Sequence, residues 1–181
     1  MRFFLMVIII FVSGCVSIPD GIEPVKDFQS NRYLGQWYEI ARLDHSFERG
    51  LEQVTATYSI REDGGIKVTN RGFDTASQQW QEAEGKAYFV GESNEGHLKV
   101  SFFGPFYGSY IIFDLGKDYE YSLITSSKRS YLWLLSRTPV IDENLKVDLI
   151  NKMTALGFNT KDLIFVKQDD QLSEAVNGGE K

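Results

Sequence analysis

The chain has 181 residues, 43% apolar and 14% aromatic, with a net charge of −6 and one cysteine. That length supports a single domain with a sizeable core, and an acidic balance with no basic cluster excludes nucleic acid as an expected partner. One cysteine also excludes an intramolecular disulfide, so stability has to come from packing.

Arg2 is followed by an unbroken apolar run over residues 3–12, which has the length of a signal-peptide core and is too short to span a bilayer. A buried first strand fits less well, because the run does not alternate. The run closes on Val12-Ser13-Gly14-Cys15, which resembles the bacterial lipobox. That resemblance implies a signal peptide over 1–14, cleavage before Cys15, and acylation of Cys15, with palmitate among the expected chains, as an anchor. One acyl chain binds a membrane only marginally, each methylene contributing roughly 0.8 kcal/mol, whereas several anchor firmly. Val16 stands where an aspartate would retain the protein in the inner membrane, so the resemblance implies the periplasmic face of the outer membrane. Residues 15–30 contain Pro19, Gly21 and Pro24 with little periodicity and are expected to form a tether.

The folded domain is expected over residues 31–168. Strand-like runs occupy 33–43, 53–62, 65–74, 80–91, 96–103, 109–115, 119–126 and 131–137, separated by turn residues such as Asp63-Gly64-Gly65 and Gly104-Pro105. Eight regularly spaced runs predict an all-β antiparallel sandwich or up-and-down barrel. After Pro139 the period changes, and Leu145, Leu149, Met153 and Leu156 form one helical stripe, with Asp142 placed to cap it and Gly157 to end it. Residues 162–167 return to strand character, and 169–181 are expected to be a disordered polar tail.

Alternation separates a soluble barrel from a membrane-spanning one. Val54, Ala56, Tyr58 and Ile60 share one face of the second run, and Leu98, Val100 and Phe102 share one face of the fifth opposite Lys99 and Ser101. A lysine in mid-strand on the polar set does not suit a lipid-facing band. In the eighth run Leu132 and Leu134 stand opposite Tyr131, Trp133 and Leu135. Both faces are apolar there, which predicts that the helix covers the outer one.

The stretches Arg32-Tyr33-Leu34-Gly35-Gln36-Trp37-Tyr38, Phe47-Glu48-Arg49-Gly50-Leu51, Lys99-Val100-Ser101-Phe102-Phe103-Gly104-Pro105-Phe106 and Leu135-Ser136-Arg137-Thr138-Pro139 resemble the lipocalin family over nearly all of the mature chain. The resemblance implies an eight-stranded up-and-down barrel with a packed C-terminal helix and a short final strand. Trp37, reached through Gly35, would close one end, with Arg137 laid across it as a structural pair through cation–π attraction and stem packing. Lys117-Asp118-Tyr119 matches the family's Thr-Asp-Tyr motif imperfectly. If Arg137 faces inward, parity carries Trp133 and Tyr131 inward. On the same basis Tyr58, Phe89, Phe102, Tyr110, Ile112, Tyr121 and Leu123 are candidates for a cavity wall. Such a wall suits an acyl chain, although an eight-stranded interior can equally be filled.

The function so implied is a membrane-anchored, lipid-binding protein that stores or transports fatty acids or lysophospholipids in the bacterial envelope, without catalysis or a cofactor, and with self-association to a homodimer left open. The alternatives are a lipocalin-fold enzyme, which would require a polar constellation inside the cup, and an envelope interaction module with a filled barrel. His45 and His97 have no partner at metal-ligand spacing and are expected at the surface or in loops. Glu39 and Asp44 read as solvated rim carboxylates, and Arg49 as an ion-pair partner of Glu48 or Glu52 or a contact for an anionic head group.

Overall fold

Strands β1 (Gly35–Arg42), β2 (Leu51–Ile60), β3 (Ile66–Asp74), β4 (Gln79–Phe89), β5 (His97–Ser101), β6 (Gly108–Leu115), β7 (Tyr121–Thr125) and β8 (Leu132–Ser136) each pair antiparallel with the next. Strand β8 returns to pair with β1, so the sheet closes into an eight-stranded barrel, and closure leaves the barrel without an open edge. The computed structural model describes residues 16–168; the expected signal peptide, Cys15 and the expected tail lie outside the described residues. A two-residue strand β9 (Ile164–Phe165) adds to the end of β1 from outside. It is shorter than expected because Thr160–Asp162 form a 3-10 turn.

Helix α2 (Glu143–Ala155) starts as its sequence dictates: Asp142 accepts from the backbone N–H groups of Asn144 and Leu145, satisfying donors that the first turn leaves free. Gly157, at φ +83°, ends it. The helix buries Leu149 and Met153 in one cluster with Leu123, Leu132 and Leu134, covering the outer face of β8 as its two apolar faces require.

Residues 16–30 correct the expectation of a free tether. Ile18 and Ile22 join the cluster beneath α2, and Phe28 is buried in the barrel's second cluster. The reason lies in strand lengths: β5 pairs with β6 only as far as Ile111, so backbone groups beyond it need other partners. The Val25 N–H donates to the Ile112 carbonyl and the Gly96 N–H donates to the Val25 carbonyl, both at 2.9 Å. A short helix α1 (Ser30–Tyr33), absent from the sequence reading, then turns the chain beneath the barrel.

Candidate functional site

The barrel has a closed end, where β1 begins, and an open end, where it finishes. At the closed end Trp37 is completely buried, and its Nε1 donates to the Tyr33 carbonyl at 2.8 Å. The Arg137 guanidinium lies 3.9 Å from the indole centroid and donates to the carbonyls of Arg32 and Gln36, which combines cation–π attraction with satisfaction of loop carbonyls. Gly35 is favoured here by its backbone rather than by space: its φ is +91°, whereas an added Cβ would meet the guanidinium at an ordinary 3.5 Å. The structure thus brings Gly35, Trp37 and Arg137 together.

Above this floor lies a layer of hydroxyl groups. Tyr110 Oη is 2.8 Å from Tyr33 Oη and 2.7 Å from Tyr58 Oη, and Tyr33 Oη also meets Ser122 Oγ at 3.1 Å. Burial pushes the Tyr33 phenol up to about 12 and raises those of Tyr58 and Tyr110 as well, so the layer stays neutral. The void it shares with Phe28, Ile66, Val68, Ala87 and Leu98 is about 10 Å³, roughly the space of one water molecule. The lower half of the barrel is filled.

The upper half differs. On β4, Gly85 and Ala87 face inward and are buried, whereas Ala83, on the same face and opposite Asn70, is exposed. Solvent therefore reaches the interior on the β3–β4 side. Phe102 lies over Gly85, where a Cβ would come within 2.9 Å of its ring carbons; only glycine leaves room for the ring. The opposite side of the mouth is lidded by residues 43–50: His45 is buried in an aromatic stack with Phe47, Tyr131 and Trp133.

Of the residues expected on the cavity wall, Tyr58, Phe89, Phe102, Tyr110, Ile112 and Trp133 belong to the interior cluster, and Tyr131 stands at the mouth beside Trp133. Tyr121 and Leu123 do not line the interior. Leu123 pairs with Leu134, which faces α2, while Ile124 pairs with inward Trp133; paired residues share a face. Leu123 is therefore buried under the helix, and Tyr121 packs against the same outer cluster, its hydroxyl on Asp114. Both faces of β7 are apolar enough to make parity along it ambiguous.

Sequence reasoning also missed a buried polar cluster beneath the lid. The β1–β8 register shifts between Glu39 and Ala41, and such a bulge turns two residues of nearby number to one face. Glu39 stands opposite inward Leu135 and Arg42 opposite inward Trp133. They are 3% and 2% exposed and paired at 2.7 Å, so Glu39 is no solvated rim carboxylate. Arg42 also donates to the carbonyls of Glu48 and Leu51, and Trp133 Nε1 donates to Glu48 Oε2 at 3.0 Å. His45 Nε2 lies 3.1 Å from Glu48 Oε2 but is poorly aligned for a hydrogen bond; His45 stands in a loop, one of the two places expected of it, but is buried there. Burial, reinforced by the charge of Glu48, raises the Glu39 carboxyl well above the usual carboxylate range despite Arg42. Asn70 Oδ1 is buried without a hydrogen-bond partner in the protein.

The remaining polar candidates settle simply. Asp44 is exposed and pairs with Arg49 at 2.5 Å, in place of the expected Glu48 or Glu52. His97 opens β5 half-buried against the backbone of Val16.

The arrangement is a half-lidded cup with a sealed floor, an apolar wall and a polar cluster that fastens the lid. A family description, the lipocalin-like domain, matches residues 28–168. The outer membrane lipoprotein Blc of Vibrio cholerae is 52% identical over 166 residues, covering 91% of this chain and 97% of that relative. Its namesake in Escherichia coli K12 is 51% identical over 150 residues, covering 83% and 85%. Among solved structures, insecticyanin of the tobacco hornworm superposes with a TM-score of 0.68 at 19% identity, covering 86% of this chain and 88% of that one.

Proposed function

The chain belongs to the lipocalin family, and from that premise we propose that it is a lipid-binding lipoprotein whose cup holds one fatty acid or lysophospholipid. The observation that carries this reading is the division of the barrel interior: a filled floor below, and above it an apolar wall of Phe102 and Trp133 that opens to solvent beside Ala83. Burying each methylene contributes roughly 0.8 kcal/mol before ordering costs. The hydroxyl layer of Tyr33, Tyr58 and Tyr110 limits the depth available, so affinity rises with acyl length and then levels off. The head group stays at the mouth, near Arg49 and Asn70. The name of the Blc relatives supports residence in the outer membrane, and the Val12-Ser13-Gly14-Cys15 motif supports acylation at Cys15; the periplasmic face is our reading of where the cup then stands.

The enzymatic alternative gains one observation, since Glu39, Arg42, His45 and Glu48 do form a polar constellation inside the cup. Its members are committed to one another: Arg42 holds Glu39 and two lid carbonyls, and Glu48 holds Trp133. We therefore read it as a fastening rather than a catalytic group. The test is a titration of the Cys15→Ser protein with fatty acids and lysophospholipids of graded length, followed by tryptophan fluorescence with Trp133→Phe as control, and mass spectrometry of the recovered ligand. Saturable binding that rises with length and returns intact ligand supports the cup. No response from folded, delipidated protein would favour the filled-barrel module, and cleaved ligand would favour the enzyme.

A further inference from the structure

Five aromatic side chains are exposed among the described residues, and four of them ring the open end: Phe47 at 59%, Trp80 at 42%, Phe103 at 81% and Phe106 at 69%. They come from two connections, residues 43–50 and 102–107, and from the start of β4, where Trp80 also packs on Phe73 and beneath the Arg71 guanidinium. The closed-end connections 61–65, 90–96 and 116–120 carry no exposed aromatic residue and instead hold Glu62, Asp63, Glu92, Glu95, Asp118 and Glu120. Clustered exposed apolar side chains on a soluble domain mark a contact surface, and aromatic residues favour the water–hydrocarbon boundary of a bilayer.

The start of the described chain indicates which surface they meet. Ser109 Oγ donates to the Ser17 carbonyl at 3.0 Å, and Ser109 is the second residue of β6, immediately after the connection that bears Phe103 and Phe106. Cys15 is two residues before Ser17, which allows a reach of no more than about 7 Å. Because residues 16–30 pack along the wall, with Ser17 held at Ser109 and Val16 at His97, an acyl anchor at Cys15 would leave the barrel little slack and would keep it close to the bilayer.

We propose that the open end is a membrane-docking surface: Phe47, Trp80, Phe103 and Phe106 seat in the interface of a phospholipid bilayer, so that the cup opens onto the lipid while the acidic closed end points away. The proposal rests on the Cys15 anchor reading and goes beyond it by fixing an orientation. It makes lipid exchange an event at the bilayer surface rather than across water.

The test uses the full acylated chain in phospholipid vesicles. Acylation consumes the only native thiol, so Phe103→Cys and, at the closed end, Asp118→Cys can each be labelled with an environment-sensitive fluorophore. The expected result is a blue-shifted emission at position 103, quenched several-fold more by doxyl-labelled lipid than the label at 118. Equal, water-like signals at both positions overturn the proposal. So does a blue shift at 103 that ignores doxyl lipid and grows with protein density, which would place a second copy of the chain on the rim. Vesicle flotation of the wild type tests the anchor separately. Should it fail, the Cys15→Ser chain is titrated with the same vesicles: docking predicts weak partitioning that falls at least tenfold in Phe103→Ser/Phe106→Ser, and no difference between the two overturns it.

Discussion

Each end of the barrel is built around an arginine, and the two arginines are held in different ways. At the floor, Arg137 lies on Trp37 and donates to backbone carbonyls, with no carboxylate partner among the described residues. At the mouth, Arg42 is buried between Glu39 and the carbonyls of the lid, with Glu48 and His45 beside it. A guanidinium on an indole needs no titratable partner, whereas a buried ion pair depends on the protonation of its carboxylates. One end is therefore built to be indifferent to pH, and the end that admits ligand is built to respond to it.

The largest test of this contrast removes the floor itself. Trp37→Ala deletes a fully buried indole and should cost about 4 kcal/mol in denaturant unfolding, with the same loss at pH 5 and pH 8. Arg42→Met leaves Glu39 buried without its partner and should cost about 3 kcal/mol near pH 8. The loss should shrink as the pH falls towards 5, because protonating Glu39 relieves the unpaired buried charge; an equal loss at both pH values breaks the comparison. Arg137→Met, which forfeits the cation–π contact and two hydrogen bonds, should cost about 2 kcal/mol at every pH tested.

The linkage at Glu39 has a definite sign. Its folded carboxyl binds a proton more tightly than the unfolded one, so its contribution is fully present below the ordinary carboxylate range. That contribution is lost as pH rises through the raised folded value, at up to about 1.4 kcal/mol per pH unit. Glu39→Gln should flatten this slope in pH-dependent unfolding while leaving the fold intact. The smallest expected effect is Gly35→Ala, about 1 kcal/mol, from placing an L side chain at positive φ; thermal unfolding would detect it, and lid hydrogen exchange should not change.

The strand rhythm and the Asp142 cap were legible in the sequence because each depends on local chemistry: alternation, and a side-chain acceptor before a helix; the Trp37–Arg137 floor pair, whose members lie far apart in the chain, was legible only through the family resemblance. What was not legible depends on register. Glu39 and Arg42 face the same way only because of the bulge around Ile40, and Leu123 faces α2 only because it pairs with Leu134. Residues 16–30 looked like a linker by their prolines and glycine, although Ile18, Ile22, Val25 and Phe28 carried a sparse apolar signal. Their partners lie far away in the chain: the cluster beneath α2 for Ile18 and Ile22, Ile112 on β6 for Val25, and Phe89 and Tyr119 for Phe28.

Helix α2 also makes the barrel mechanically uneven. It braces the wall formed by β7, β8 and β1 with a second layer of Leu149 and Met153, while the exposed outer stretch of β4 has no such backing. A wall one layer thick bends more readily than one two layers thick, so a head group wider than the resting mouth would be admitted by strain on the β3–β4 side. Amide hydrogens near Ala83 should then exchange faster than those of Leu132 and Leu134, and the barrel would behave as a stiff spine with one compliant flank.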